Sequence, residues 1–380
     1  MIIGIDGNEA NITNRVGINQ YNLELLRALK ELQDKGKCQH KIVVYLKNPP
    51  LSDLPKEGSN FKYRILPGKV AWIISRLTPD LFLGRPRPDI FFSPSHYVPP
   101  FSPVSRVCSI MDLGYLKFSE QFKKFDFWQL KVWSAYSISV SKAVIAISNS
   151  TKEDIVRHYP FASRKTFVTP LAYDKNQFNP TINQKDVRRV KQKYAIVKDY
   201  VIFISTLKPS KNVEGLLAAW KKIIRDFSSF SLVIAGKKGW LYESIFAKVK
   251  ELDLVNDVIF TDFVPEEDKA PLIAGAKAFV LPSFWEGFGL DVLNAMACGV
   301  PVVVSNVGSL PEVVGRAGVL VDPYDVDSIS RGLKKVLSVN ERKYNSLVER
   351  GLFRARQFSW EKTAEQTLNI LERVYNDDRL

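Results

Sequence analysis

Short runs of β-branched and aromatic residues recur along the chain, separated by stretches whose apolar positions fall three and four apart. Runs of the first kind suit strands buried on both faces, and stretches of the second suit helices packed over them. In the first half the predicted strands are Ile2–Asp6, Ile42–Leu46, Phe61–Leu66, Ile90–Ser93, Val107–Ile110 and Val144–Ser148. In the second half they are Tyr200–Ser205, Leu232–Ala235, Val258–Thr261, Phe279–Pro282, Val302–Ser305 and Val319–Val321. Strand and helix alternate throughout, so the expected class is α/β with parallel sheets.

Each half holds enough strand–helix units for its own Rossmann-like sheet. Residues 168–185, with Pro170, Asp174, Asn176, Asn179, Pro180 and Asn183, read as a punctuated linker. A polar helical stretch, 184–194, follows it. Near the other end Ser359 precedes Trp360 as an N-cap for a last helix. At 380 residues the chain exceeds what one core ordinarily covers, which agrees with two domains.

Composition adds less than pattern. Hydrophobic residues make up 46% and charged residues 25%, as in ordinary globular proteins. Cys38, Cys108 and Cys298 are scattered and odd in number, which disfavours a disulfide framework and suggests a reducing, cytoplasmic setting. His40, His96 and His158 are equally isolated, so no histidine metal site is expected. Met1–Asp6 reads directly as a strand, without the basic and apolar regions of a signal peptide, and no apolar run is long enough for a membrane span. The net charge is +14, of which +10 falls in residues 1–180. That half could face an anionic lipid surface, nucleic acid or an acidic acceptor, or be a solvated basic surface with no such partner.

The segment 279–304 carries the densest chemistry. A strand is followed by the loop Pro282–Gly289, with Glu286 between Trp285 and two glycines. Leu290, Leu293, Met296 and Ala297 then repeat at helical spacing until Gly299 and Pro301. Such a loop lies where a strand's carboxyl end meets a helix N-terminus, the usual ligand site of open α/β sheets. Unpaired N–H groups there favour a phosphate, and Gly287 and Gly289 permit close approach. Glu286 can accept from sugar hydroxyls, and Asn294, one turn into the helix, can both donate and accept. A tight turn with a solvated carboxylate is the plainer alternative, and Trp285 and Phe288 suit packing. A dinucleotide fingerprint is excluded, because Val292 stands where its third glycine would be.

Glu286-Gly-Phe-Gly-Leu290, Leu293 and Ala295-Met-Ala-Cys-Gly-Val-Pro-Val-Val303 together resemble the signature of glycosyltransferase family 4. The resemblance implies the GT-B fold: two Rossmann-like domains facing a central cleft, with the C-terminal helix crossing back to the first. It also implies a retaining, metal-independent sugar transfer from a nucleotide-activated donor. In that family the first acidic residue contacts the transferred sugar, here Glu286. A second Glu holds the ribose, and here that position is Asn294. The implied domains are 1–175 plus 361–380, binding acceptor, and 185–360, binding nucleotide sugar.

Further positions match in part. Gly17 and Tyr21 agree with a glycine-bearing turn near the donor phosphate, although a helix start explains Gly17 as well. Ser205–Asn212 resembles the family's basic phosphate-binding element, so Thr206, Lys208, Lys211 and Asn212 are expected at the donor. Lys211 would neutralise the leaving diphosphate as a point charge. A surface lysine beside an Asn cap is the alternative. Phe263 and Val264 fall in the segment whose backbone pairs with the nucleobase, although Phe263 could equally be core. Met111-Asp112 stands where the family shows His-Asp; Asp112 could touch sugar or acceptor, or cap a helix, and His96 is the nearest imidazole that could compensate. Glu312 reads as structural. Asp325-Val-Asp327 has the form of a metal–nucleotide motif from a different transferase fold, but N-capping explains it better.

Residues 119–141, including Phe122, Lys123, Lys124, Phe125, Trp128, Lys131 and Trp133, mix aromatic and basic side chains. With Trp72–Arg76 they fit a buried helix whose lysines reach solvent, or alternatively an interfacial membrane patch.

The expected activity is hexose transfer from GDP-mannose or a UDP-hexose to a glycan or lipid-linked acceptor, with Glu286, Lys211 and Asp112 in catalytic roles. The donor would lie along Gly17, Thr206, Lys208, Lys211, Asn212, Phe263, Val264, Glu286–Leu290 and Asn294. No metal or other cofactor and no nucleic acid are expected. Peripheral contact with an anionic inner membrane face, through the N-terminal domain, is the expected partner interaction. The alternatives are a GT-B epimerase or hydrolase of nucleotide sugars, and a non-catalytic nucleic-acid or anionic-surface binder on a degenerate transferase fold.

Overall fold

The computed structural model describes residues 1–121 and 123–379, with Gln121 described in its backbone only. The chain divides into two compact units, residues 1–171 with 359–380, and residues 172–358.

The N-terminal unit is built on seven parallel strands: β1 Ile2–Asp6, β2 Lys41–Leu46, β3 Phe61–Ile65, β4 Ile90–Ser93, β5 Ser105–Ile110, β6 Ala143–Ala146 and β7 Thr166–Val168. Their order is β3-β2-β1-β4-β5-β6-β7. Ile3, Ile5, Val44, Phe91, Phe92, Val107, Val144 and Ile145 are at most 1% exposed, as required of strands covered by helices on both faces. β7 falls where the pattern predicts the start of a linker. It is three residues long and pairs only with β6, so it is too short for periodicity to register.

The last helix, Trp360–Asp377, belongs to this unit. Ser359 caps it by accepting from Lys362 N at 3.2 Å. Trp360 meets Tyr21 with ring centroids 6.2 Å apart, and Thr363 Oγ1 donates to Pro170 O at 2.6 Å. The helix packs against Gly17–Asp34, whose buried Leu25, Leu26, Leu29 and Leu32 form the matching stripe.

The Lys124–Val140 helix overturns one expectation. Only Ser134, Ser137 and Ile138 are buried on it, whereas Phe125, Trp128 and Val132 are 77%, 56% and 60% exposed. It is therefore no buried helix; its apolar stripe points to solvent. Phe122 of the same stretch lies outside the described residues. Trp72, by contrast, is buried and donates to Leu66 O at 2.7 Å.

The second unit holds six parallel strands: β8 Asp199–Ile204, β9 Phe230–Ala235, β10 Val258–Asp262, β11 Ala278–Leu281, β12 Val302–Ser305 and β13 Val319–Val321. Their order is β10-β9-β8-β11-β12-β13, so the winding direction reverses between β8 and β11. Val201, Ile202, Phe203, Val233, Phe279, Val280 and Val303 are fully buried. The amphipathic Val326–Leu337 helix covers one face through Ile329, Leu333 and Val336.

Candidate functional site

The reversal between β8 and β11 opens a crevice at the carboxyl edge of the second sheet, where doubly wound folds hold ligands. Two loops border it: 205–212 after β8 and 282–289 after β11. Lys211 lies on the first and Glu286 on the second. Lys211 Nζ donates to Glu286 Oε1 at 2.6 Å, so the residues predicted from opposite ends of the second half are brought together. Their side chains are 13% and 12% exposed.

Glu286 is held from several sides. Ser283 Oγ donates to Oε1 at 2.7 Å, while Ser309 N and Oγ donate to its carbonyl at 3.2 and 3.0 Å. Gly308 has φ +63°, and a Cβ there would lie 2.9 Å from the Glu286 carbonyl oxygen, so only glycine lets the two loops approach this closely. Oε2 of Glu286 makes no hydrogen bond among the described residues.

Asn212 has a different task from the predicted ligand contact. Its backbone is left-handed at φ +54°, which Asn tolerates better than most residues. Its Nδ2 donates to Pro282 O at 3.1 Å and Pro323 O at 2.7 Å. The amide nitrogen is thus committed to tying the loops after β8, β11 and β13 together. Phe284 stacks on Tyr324 at 4.9 Å, and Ser305 Oγ donates to Ser283 O at 2.6 Å, which completes the tie.

Gly289, with φ +91°, caps the Leu290–Ala297 helix; a Cβ there would meet Leu310 at 2.5 Å. Gly287 and Phe288 are buried in the loop, and Phe288 packs edge-on against Phe358 at 5.8 Å. The Phe288 side chain is therefore core. Leu290 opens the helix, whose free N–H groups face the same carboxyl edge. Asn294 is 3% exposed and donates through Nδ2 to Asp291 Oδ1 at 3.2 Å. Asp291 in turn lies 3.9 Å from Lys269 Nζ, which contacts Glu266 Oε2 at 2.8 Å. Burial pushes the Asp291 carboxyl above the usual carboxylate range, against the lowering effect of Lys269.

The other predicted donor residues lie at this edge without converging on the pair. Thr206 is half-buried on the first loop, and Lys208 Nζ sits over the Trp240 ring at 4.8 Å. Lys208 is thus engaged with an aromatic face. Val264 is buried, and Phe263 is 41% exposed, which removes the core reading for it.

Within the N-terminal unit, Gly17 begins the first long helix, and a Cβ on it would meet nothing within 4 Å, so no internal packing demands glycine there. Asp112 Oδ1 accepts from Gly114 N at 2.8 Å, which is a helix-capping bond. Burial lowers the His96 pKa to about 4, and its Nε2 is buried without a partner. Asp325 accepts from Asp327 N at 2.8 Å, as an N-cap does.

Ser283, Ser309, Lys269 and Asp291 are site residues that sequence reasoning passed over. The serines carry no pattern, because their partners are backbone or loop atoms distant in sequence. Asp291 had a signal: it is the one acid in the first turn of the motif helix, three residues from Asn294. Together the site offers a cation, helix N–H groups and hydroxyl acceptors on adjacent loops. That set suits a phosphorylated sugar.

Residues 186–352 match the family model described as glycosyl transferases group 1. The O-antigen chain mannosyltransferase B of Escherichia coli is 36% identical over 236 residues, covering 61% of this chain and 61% of that protein. The MMP alpha-(1->4)-mannosyltransferase of Mycolicibacterium hassiacum is 30% identical, over 61% of this chain and 54% of its own length. The matched part thus spans about three fifths or less of these relatives. Among solved structures, sucrose-phosphate synthase from Thermosynechococcus elongatus superposes with a TM-score of 0.74 at 20% identity, covering 99% of both chains. Anabaena HepE in complex with UDP and glucose gives 0.73 at 16% identity, covering 98% of this chain and 99% of that one. These likenesses show the fold, two Rossmann-like parallel-sheet domains of the GT-B type.

Proposed function

We propose that the chain is a glycosyltransferase that moves a hexose, mannose from GDP-mannose in the first instance or else a hexose from a UDP-sugar, to a glycan or lipid-linked acceptor. The observation that carries this reading is the Lys211–Glu286 pair at the switch point of the second sheet, beside the Leu290–Ala297 helix N-terminus. The mannosyl preference is supported by relatives named as mannosyltransferases.

In this reading the bond between the sugar's anomeric carbon and the diphosphate oxygen breaks. Lys211 and the first N–H groups of the helix take up the charge that develops on the leaving group. Glu286, braced by Ser283 and Ser309, accepts from a hydroxyl of the departing sugar through its uncommitted oxygen. The acceptor hydroxyl adds to the same face of the anomeric carbon, and its proton passes to the leaving phosphate oxygen. Configuration is retained, and neither a protein nucleophile nor a metal ion takes part. Asp112 and the N-terminal unit serve the acceptor.

A peripheral membrane contact belongs to the same reading. No described helix is long and apolar enough to cross a membrane. The Lys124–Val140 helix instead exposes Phe125, Trp128 and Val132 at three-and-four spacing, flanked by Lys124 and Lys131. Such a stripe suits an anionic lipid interface.

Thermal-shift titration with GDP-mannose, UDP-glucose and their diphosphates tests the donor assignment, followed by NMR of the product's anomeric configuration with and without EDTA. A raised melting temperature with one nucleotide sugar and an EDTA-insensitive, retained product is expected. If no nucleotide sugar shifts the melting temperature, the reading fails.

A further inference from the structure

The motif helix carries two side-chain acceptors that the protein itself leaves unused. Asp291 Oδ1 is engaged by Asn294 Nδ2, but Oδ2 has no hydrogen-bond partner among the described residues. The same bond turns the Asn294 amide nitrogen toward Asp291, so Asn294 Oδ1 also lacks a described donor. Asn294 is 3% exposed and the Asp291 side chain 28%, so neither has free access to bulk water.

A simple ion pair does not account for Asp291. Lys269 Nζ lies 2.8 Å from Glu266 and only 3.9 Å from Asp291, so its close contact is with Glu266. Glu266 is itself fixed by Gln177 Nε2 at 3.2 Å on its carboxylate and 2.7 Å on its carbonyl. Lys269 therefore offsets the cost of a second carboxylate without saturating it. Desolvated acceptors without donors are costly, and sites that bear them commonly receive the donors from a ligand.

Two acceptors three residues apart on one helix face, roughly 5–6 Å between Cβ atoms, can meet two neighbouring hydroxyls. With a diphosphate held by Lys211 and the helix N-terminus, the next group along a nucleotide is its ribose. Parallel-sheet nucleotide sites commonly read that ribose with an acidic side chain. We propose that Asp291 is the ribose-binding carboxylate of this chain, and that Asp291 and Asn294 together accept from the 2′,3′-diol of a nucleoside diphosphate. This rests on the transferase reading above. It relocates the acidic function by three residues, to a helix position on which composition and spacing placed no role.

Isothermal titration with GDP and UDP, each beside its 2′,3′-dideoxy form, tests the assignment on the full chain. The unsubstituted protein is expected to bind the better ribonucleotide roughly tenfold or more tightly than its dideoxy form, because a site built for hydroxyls rejects an analogue lacking them. Asp291→Ala should reduce that ratio to below about threefold while leaving dideoxy affinity unchanged. Asp291→Asn/Asn294→Asp, which transposes the charge, should keep a ratio well above that of Asp291→Ala. The proposal is overturned if the ratio is near one in the unsubstituted protein. It is equally overturned if Asp291→Ala weakens both forms alike, as loss of a merely structural contact would. If neither diphosphate binds in either form, the transferase reading itself fails and the ribose assignment with it.

Discussion

Lys211 and Glu286 meet through a 2.6 Å charge-assisted hydrogen bond that joins the loops following β8 and β11. Both side chains are nearly buried, so the pair has two separable consequences. Removing one partner strands a charge in a poorly hydrated place, while removing both strands none. Lys211→Met or Glu286→Gln alone is expected to cost about 3 kcal/mol of stability. The double variant should recover much of that loss yet remain at least about a hundredfold slower in sugar transfer. Melting curves beside nucleotide release from GDP-mannose would show it; full activity in the double variant would remove both residues from the chemistry.

Asn212 holds three loops together rather than touching donor. Asn212→Ala loses two hydrogen bonds of about 1 kcal/mol each and places a Cβ-bearing residue at φ +54° without Asn's local compensation, which adds about 1 kcal/mol more. Asn212→Gly keeps the backbone conformation and loses only the bonds. Alanine is therefore expected to be the less stable of the two, and both should raise KM for nucleotide sugar through a loosened Glu286 loop. Equal stability for the two variants would show that the left-handed backbone contributes nothing.

The exposed stripe on the Lys124–Val140 helix predicts vesicle binding. Replacing Phe125, Trp128 and Val132 by Ser should abolish co-sedimentation with phosphatidylglycerol vesicles and leave GDP affinity unchanged. Lys124→Glu/Lys131→Glu should weaken binding in a salt-dependent way, since the electrostatic part is screened within about 8 Å at physiological ionic strength. An unsubstituted protein that ignores such vesicles would overturn the membrane contact.

Asp268 supplies a pH-dependent term in the second unit. Its side chain is fully buried, which opposes charge, but Lys193 at 2.5 Å, Arg189 at 2.7 Å and the Tyr194 hydroxyl at 2.9 Å hold the carboxyl below its usual value of 3.8. A carboxylate with a lowered folded-state pKa contributes stability above its unfolded value and loses it as pH falls through the folded value. The melting temperature of Asp268→Asn should therefore lie furthest below that of the unsubstituted protein at pH 7. The gap should close below about pH 4. A gap independent of pH would mean the carboxylate's charge is irrelevant.

Much of this architecture was legible beforehand. Twelve strands could be read from apolar runs, and Ser359 could be read as the cap of the last helix, because both depend on local periodicity and on a hydroxyl near its own helix N-terminus. β7 was hidden by its shortness. The Lys124–Val140 helix misled because aromatic residues usually signal burial, and a stripe at helical spacing looks the same whether it meets a core or solvent. Glu286 and Lys211 stood out by position after strands, whereas Ser283 and Ser309 did not, since their partners belong to loops remote in sequence.

Sequence by itself determined the alternation of strand and helix, the two sheets and the glycine-bearing turn into the Leu290–Ala297 helix. These rest on contacts between residues near in the chain, where burial and backbone freedom leave few alternatives. Only the tertiary structure decided that β8 and β11 are neighbours, and so that Lys211 reaches Glu286, because strand order depends on how each crossover packs over the sheet. It also decided that Asn212's amide is spent on Pro282 and Pro323, while Asp291 and Asn294 keep acceptors free. Hydrogen-bond partners across loops are settled by folded geometry, and no spacing along the chain encodes them.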